Sequence, residues 1–208
     1  MATPKGYTTE EKIEEYMLKD INADFSEVIE GWIAGVEATI DLLTGRNFIA
    51  DDTATTRLFD GDDTDKLLID DCTAITKVEV GNDNYGSSFR EISASGASRY
   101  FTEPANHSSK GFPITSIKLN ADQFLQGTQN QRITAKWGYS DEVPADIERA
   151  ATIFVAGIIN QQTPGGDQVK SKRIGNYSVT YNTENGRNSF ADFEQAMTLL
   201  EQYKKYRI

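Results

Sequence analysis

The spacing of apolar residues changes period twice along this chain, and that change restricts it to a fold with helical ends and a β-rich middle. Phe25, Val28, Ile29, Trp32, Ile33, Val36, Ile40 and Leu43 recur at three- and four-residue intervals, which places them on one helical face over about five turns. Gly45 stands where such a helix stops. A shorter helix precedes it: Thr8 with Glu11 three residues on is a capping-box pattern, and Ile13, Tyr16 and Met17 follow at helical spacing, with an end near Asp20. After Asn47 and Phe48 the helical spacing is lost. Short β-prone runs (Arg57 to Phe59, Leu67 to Ile69, Ile75 to Val80, Ile114 to Leu119, Arg132 to Trp137) alternate with Gly, Asn, Asp and Ser clusters. Within them, Ser93 to Lys110 has little apolar periodicity and reads as a long exposed loop with weak strands.

Helical spacing returns at Pro144, which suits a first turn, with Ile147, Ala150, Ala151, Phe154, Val155, Ile158 and Ile159 as the inward stripe. Thr163-Pro164-Gly165-Gly166 ends it. Lys172 to Tyr181 alternates imperfectly, as a hairpin would, before the turn-like Glu184-Asn185-Gly186. Ser189 then caps a last helix carrying Phe190, Phe193, Met197 and Leu200. The expected class is α+β: mainly a bundle of about four helices, with an inserted β-rich subdomain and a hairpin-like segment before the last helix. Residues 1-54 supply the N-terminal helices, 55-139 the insertion, and 140-208 the C-terminal helices, hairpin and tail.

A chain of 208 residues can bury a real core without staples, and ten Phe, nine Tyr and two Trp supply the apolar surface that wholesale disorder lacks. With 21 Lys plus Arg against 32 Asp plus Glu, the net charge of −11 disfavours electrostatic attraction to nucleic acid or anionic membrane. Proteins are the expected partners. Cys72 is the only cysteine, so neither an intrachain disulfide nor a cysteine zinc site can form. The apolar run Ile153 to Ile159 is too short for a bilayer, and Met1 to Tyr7 lacks a signal-peptide core, so synthesis and assembly in the cytoplasm are expected.

Patterns that could carry chemistry are thin. Asp60-Gly61-Asp62-Asp63-Thr64-Asp65 clusters oxygen ligands, but as a calcium loop it has Asp65 at the sharp-turn glycine position and Asp71 at the bidentate glutamate position. A solvated turn is the better reading. His107, the only histidine, lies in the polar loop without a G-x-S-x-G elbow, and phosphate-binding glycine patterns are absent. The sequons at Asn106 and Asn176 have no consequence without a secretory signal. Catalysis, cofactors and metals are therefore not expected. Two features point to contacts instead. Gly31 and Gly35, one turn apart beside Trp32, allow close approach of another helix, either within the monomer or from a second subunit. Lys204, Lys205 and Arg207 make a basic C-terminus beside Tyr203, Tyr206 and Ile208, either as a frayed helix end or as a docking tail.

Three stretches resemble the phage gp6-like head-tail connector (adaptor) family. The first is Tyr7-Thr8-Thr9 with Glu11 and the helix closing in Leu43-Thr44-Gly45-Arg46-Asn47-Phe48. The second is Ala135-Lys136-Trp137-Gly138-Tyr139 followed by Val143-Pro144-Ala145-Asp146-Ile147 through Ala150. The third is Ile174 to Tyr181 ahead of a helix ending in Leu200 and Tyr203. The resemblance implies a homo-oligomeric ring, usually twelve-fold, that docks beneath the portal protein and meets a stopper or tail protein. It places the chain in the virion neck, with genomic DNA passing through the channel without sequence-specific binding. Gly31, Trp32 and Gly35 would then pack subunits, and Tyr203, Lys204, Lys205, Tyr206, Arg207 and Ile208 would dock on the portal. A competing reading is a protein- or glycan-binding virion module using Phe89, Tyr100 and Phe101 of the insertion. A third, hydrolytic or calcium-stabilised enzyme, requires Asp60, Asp62 or His107 to converge in a pocket.

Overall fold

The computed structural model describes residues 3–21, 25, 27–162, 171–174, 177–180 and 189–205. The chain divides into two compact units, one formed by residues 1–46 with 143–208 and the other by residues 47–142.

In the first unit, α1 (Glu10–Met17), α2 (Ile29–Thr44) and α4 (Ser189–Glu201) all pack on α3 (Ala145–Gln162). The N-cap of α1 is Thr9, whose hydroxyl accepts from the Lys12 amide, one residue later than the capping box at Thr8 implies. Thr8 is instead buried, its hydroxyl 2.7 Å from that of Thr152 on α3. A tertiary hydrogen bond thus takes the group that local capping would have used. Leu18, in the left-handed region at φ 55°, stops α1. Along α2 the inward face is Ile29, Ile33, Ala34, Val36 and Ile40, and Gly45 ends the helix at φ 69° with its N–H on Asp41 O. On α3 the deepest residues are Ile147, Ala150, Ala151, Val155 and Ile159, with Phe154 and Ile158 half-buried at the edge of the stripe.

In the second unit, β1 (Thr55–Gly61), β2 (Lys66–Gly81), β3 (Phe89–Ile92), β4 (Tyr100–Glu103), β5 (Ile114–Leu119) and β6 (Gly127–Trp137) form one antiparallel sheet in the order β1-β6-β2-β5-β4, with β3 on the far half of β2. Leu67, Ile69, Val78, Val80, Ile117, Phe124, Ile133 and Trp137 are central to its core. The 16-residue β2 changes phase midway. Leu67 and Ile69 are buried at odd positions, Cys72, Val78 and Val80 at even ones, and the register on β5 and β6 shifts between Leu68 and Cys72 and again at Cys72 to Lys77. Just before β2, Thr64 bridges Phe124, and at nearby Gly61 a Cβ would lie 2.0 Å from Leu125 O.

The expectation of a mainly helical bundle of about four helices is therefore corrected. The class is α+β, but the six-stranded sheet dominates, accompanied by four α-helices and a short 3-10 turn at Ser108–Lys110 among the described residues. Leu67 to Ile69 and Ile75 to Val80, read in sequence as separate short β-prone runs, are one long central strand paired on both edges. The loop from Ser93 to Lys110 also contributes β4, which extends the sheet through Tyr100↔Leu119 and Thr102↔Ile117. A separate two-stranded ribbon, β7 (Ser171–Ile174) with β8 (Tyr177–Thr180), lies between α3 and α4 in sequence.

Candidate functional site

Parts of two stretches that carried the family resemblance, Asn47-Phe48 and Trp137-Gly138-Tyr139, meet in the second unit. Tyr139 donates its N–H to Asn47 O at 2.8 Å, Ala50 donates to Ser140 O at 2.9 Å, and the rings of Phe48 and Tyr139 pack 5.5 Å apart. Gly138 makes this crossing possible: at φ 139° a Cβ would lie 2.4 Å from Ala50 Cα, so two backbones pass where no side chain fits. Trp137 fixes the other side, its indole N–H on Thr55 O at 2.8 Å. The Asn47-Phe48 and Trp137-Gly138-Tyr139 segments thus lock together the two points at which the chain enters and leaves the sheet unit.

On α2, Gly31 and Gly35 are exposed, and a Cβ built on either meets no atom within 4 Å. Neither glycine is needed for packing inside its own unit. Trp32, half-buried between them, packs its ring 5.3 Å from that of Phe25. An apolar groove of about 430 Å3 lies between α2, α3 and α4, lined by Val36, Leu43, Phe154, Ile158, Phe193 and Met197. The Phe154 and Phe193 rings meet edge-on at 5.2 Å across it.

The first half of the basic C-terminus is tied down. Arg46 Nε donates to Tyr203 O at 2.5 Å, and the Lys205 amide donates to Thr44 O at 2.8 Å, satisfying a carbonyl at the end of α2. Lys204 pairs with Glu201 at 3.4 Å. Tyr206, Arg207 and Ile208 lie outside the described residues.

One functional group escaped the sequence reading. Glu37, on the inward face of α2, is 1% exposed and accepts from three successive backbone amides: Lys5 at 2.5 Å, Gly6 at 2.9 Å and Tyr7 at 2.7 Å. One turn on, Asp41 accepts from the Tyr7 hydroxyl at 2.6 Å and pairs with Lys5. These two carboxylates clamp the N-terminal segment onto α2. Only the i, i+4 spacing of Glu37 and Asp41 was visible in sequence, and that spacing ordinarily marks a solvated face.

The other candidates are engaged in turns and cores. Asp60 accepts from the Gln129 amide at 2.6 Å, Asp62 from the Thr64 hydroxyl at 2.7 Å, and Asp63 from the Gln126 amide at 2.7 Å. Asp65 pairs with Lys118. Among the described residues no three His, Cys, Asp or Glu side chains are arranged to hold a metal ion. His107 opens the 3-10 turn with its amide on Pro104 O, and its imidazole bonds no described residue. Cys72 is fully buried, and desolvation, aided by Asp71, pushes its thiol up to about 12. The insertion aromatics do not form a contiguous exposed patch. Phe89 is half-buried under the Arg132 guanidinium at 3.9 Å, and Tyr100 packs against the sheet core. Phe101 is exposed beneath Arg99. Among the described residues no helix is long and apolar enough to cross a membrane.

No protein-family model matches the chain, and no curated protein matches it. Solved structures do. A chain in the neck of an empty gene transfer agent (GTA) particle, computed with C6 symmetry, aligns with a TM-score of 0.58 at 11% identity, covering 100% of this chain and 94% of that one. A chain in the neck of a native GTA particle, computed with C12 symmetry, aligns with a TM-score of 0.53 at 12% identity and the same coverage. At these identities the shared property is the fold, and it extends over the full length of this chain.

Proposed function

We propose that the chain is a structural head-tail connector subunit in the neck of a tailed phage or phage-like particle, forming a ring between the portal and the stopper or tail. The observation that carries this reading is the reciprocal coverage with two neck chains, 100% of this chain and 94% of each neighbour, so both units and their connection take part in the likeness. A ring of twelve obeys both C6 and C12 symmetry, the symmetries of the neighbouring necks. The two exposed glycines of α2 fit a heterologous contact between subunits, which a closed ring requires. The chain acts by assembly, without catalysis or cofactor, in the virion.

The test mixes the purified chain with purified portal from the same particle and follows size-exclusion chromatography and negative-stain microscopy. A ring added to the portal is the expected outcome. A monomer that ignores a well-formed portal overturns the reading. A chain truncated after Lys205 keeps the Thr44 and Arg46 contacts and isolates the part played by Tyr206, Arg207 and Ile208. That variant is expected to fold fully and to bind portal more weakly.

A further inference from the structure

Two features of the first unit carry a local cost that packing within the chain does not offset. The first is Leu18, which ends α1 in the left-handed region at φ 55°, where a Cβ crowds the following carbonyl. It is 86% exposed, and its N–H on Glu14 O holds it at the end of the helix. The second is Gly157, inside α3. A glycine within a helix is less stable than alanine, and here a Cβ would meet no atom within 4 Å, so no close neighbour in the chain demands it. Gly157 lines the apolar groove of about 430 Å3 between α2, α3 and α4, and no charged residue stands among the described residues of that lining. A cavity on the order of 150 Å3 already holds a benzene-sized group, so the groove has room for an aliphatic side chain. Leu18 and the groove belong to opposite sides of α3. The α1 side meets α3 at Thr152, through Thr8, and at Glu148, through Lys12. At roughly 100° per residue, Phe154, Gly157 and Gln161 of the groove lie about half a turn of the helix from that pair. Leu18 is thereby kept from the groove of its own chain.

We infer that the groove between α2, α3 and α4 seats Leu18 of a second copy of this chain. The choice of a second copy rests on the neck reading, in which like subunits form a ring; the pairing of these two surfaces goes beyond it. A knob on one side of the unit and a hole on the other make the contact heterologous. Each copy then gives its Leu18 to one neighbour and receives that of another, which is the contact a closed ring repeats. Leu42, 84% exposed, stands on α2, itself a wall of the groove, so copies joined through it would meet groove to groove as a two-fold pair. Charge favours the same place. Copies with a net charge of −11 repel one another, and a contact centred on an uncharged groove brings no further like charges together.

The experiment treats full-length variants, each with one added cysteine, with a short bismaleimide cross-linker, in the absence and presence of portal. Cys72 is buried and its thiol is pushed up to about 12, so it does not compete. Leu18→Cys mixed with Thr39→Cys, a groove residue, should give a linked dimer several-fold above either variant alone, and a chain carrying both should give a ladder. Gly157→Leu fills the groove from inside and should cut the mixed yield several-fold, with Gly157→Ala between it and the wild type. Circular dichroism of both separates a blocked groove from a damaged fold. Leu18→Gly relieves the left-handed backbone and should raise the thermal midpoint of the free subunit. No mixed dimer under either condition overturns the proposal, as does a yield that Gly157→Leu leaves unchanged. Thr39→Cys linking to itself as readily as to Leu18→Cys means grooves face to face, and also overturns it. Equal linkage of Thr39→Cys to Leu42→Cys or Tyr85→Cys, at residues as exposed as Leu18, removes Leu18 as the occupant. A lowered midpoint for Leu18→Gly does the same, because Leu18 then serves its own chain. A ring on the portal without the mixed dimer refutes this contact and leaves the neck reading standing; a mixed dimer from a chain that ignores portal does the reverse.

Discussion

At the scale of single residues, Glu37 shows how a charged side chain can hold a fold together from inside. A carboxylate with 1% exposure is costly unless its oxygens are satisfied, and three consecutive amides from Lys5 to Tyr7 do this. Glu37→Ala removes the acceptor and leaves those donors without it. The expected loss is about 3 kcal/mol in urea unfolding, with Glu37→Gln, which keeps one acceptor oxygen, losing about half as much. A Glu37→Ala midpoint equal to that of the wild type would show that the N-terminal segment adds nothing to stability. This clamp was not legible in the sequence for a definite reason. Helical spacing reports which face a residue occupies, but an acid on that face is ordinarily a solvated one, and the partners here are backbone groups about thirty residues upstream with no side-chain signature. Gly138 is the opposite case. Its neighbours Trp137 and Tyr139 were readable as a motif, yet why a glycine is required appears only when the second backbone, at Ala50, is in place.

At the scale of elements, helices were easier to read than strands because one unbroken period describes each of them. The α2 stripe of Ile29, Ile33, Val36 and Ile40 is buried as its spacing implies. By contrast, β2 changes phase at its irregularities, so no single alternation spans Lys66 to Gly81, and its length and central position were hidden. That is the physical origin of the misjudged balance between bundle and sheet. The α2 glycines give an element-scale prediction. Because a Cβ at Gly31 or Gly35 meets only open space, Gly31→Ala and Gly35→Ala should each stabilise the free subunit by about 0.5–1 kcal/mol, seen as a higher thermal midpoint. If these positions are where subunits meet, the same variants should assemble less well on the portal. Variants that are more stable and assemble unimpaired would remove Gly31, Trp32 and Gly35 from the subunit contact.

At the scale of the whole molecule, a charge of −11 sets the terms on which copies meet. In a ring of the kind proposed, neighbouring copies would bring like charges within a few Debye lengths of one another, and the repulsion would work against closure when salt is low. Added salt screens it without weakening apolar contact, so self-association of the free chain should rise with ionic strength. Analytical ultracentrifugation across a salt series reads this directly. Self-association that falls with salt would instead mean that ion pairs between copies dominate assembly.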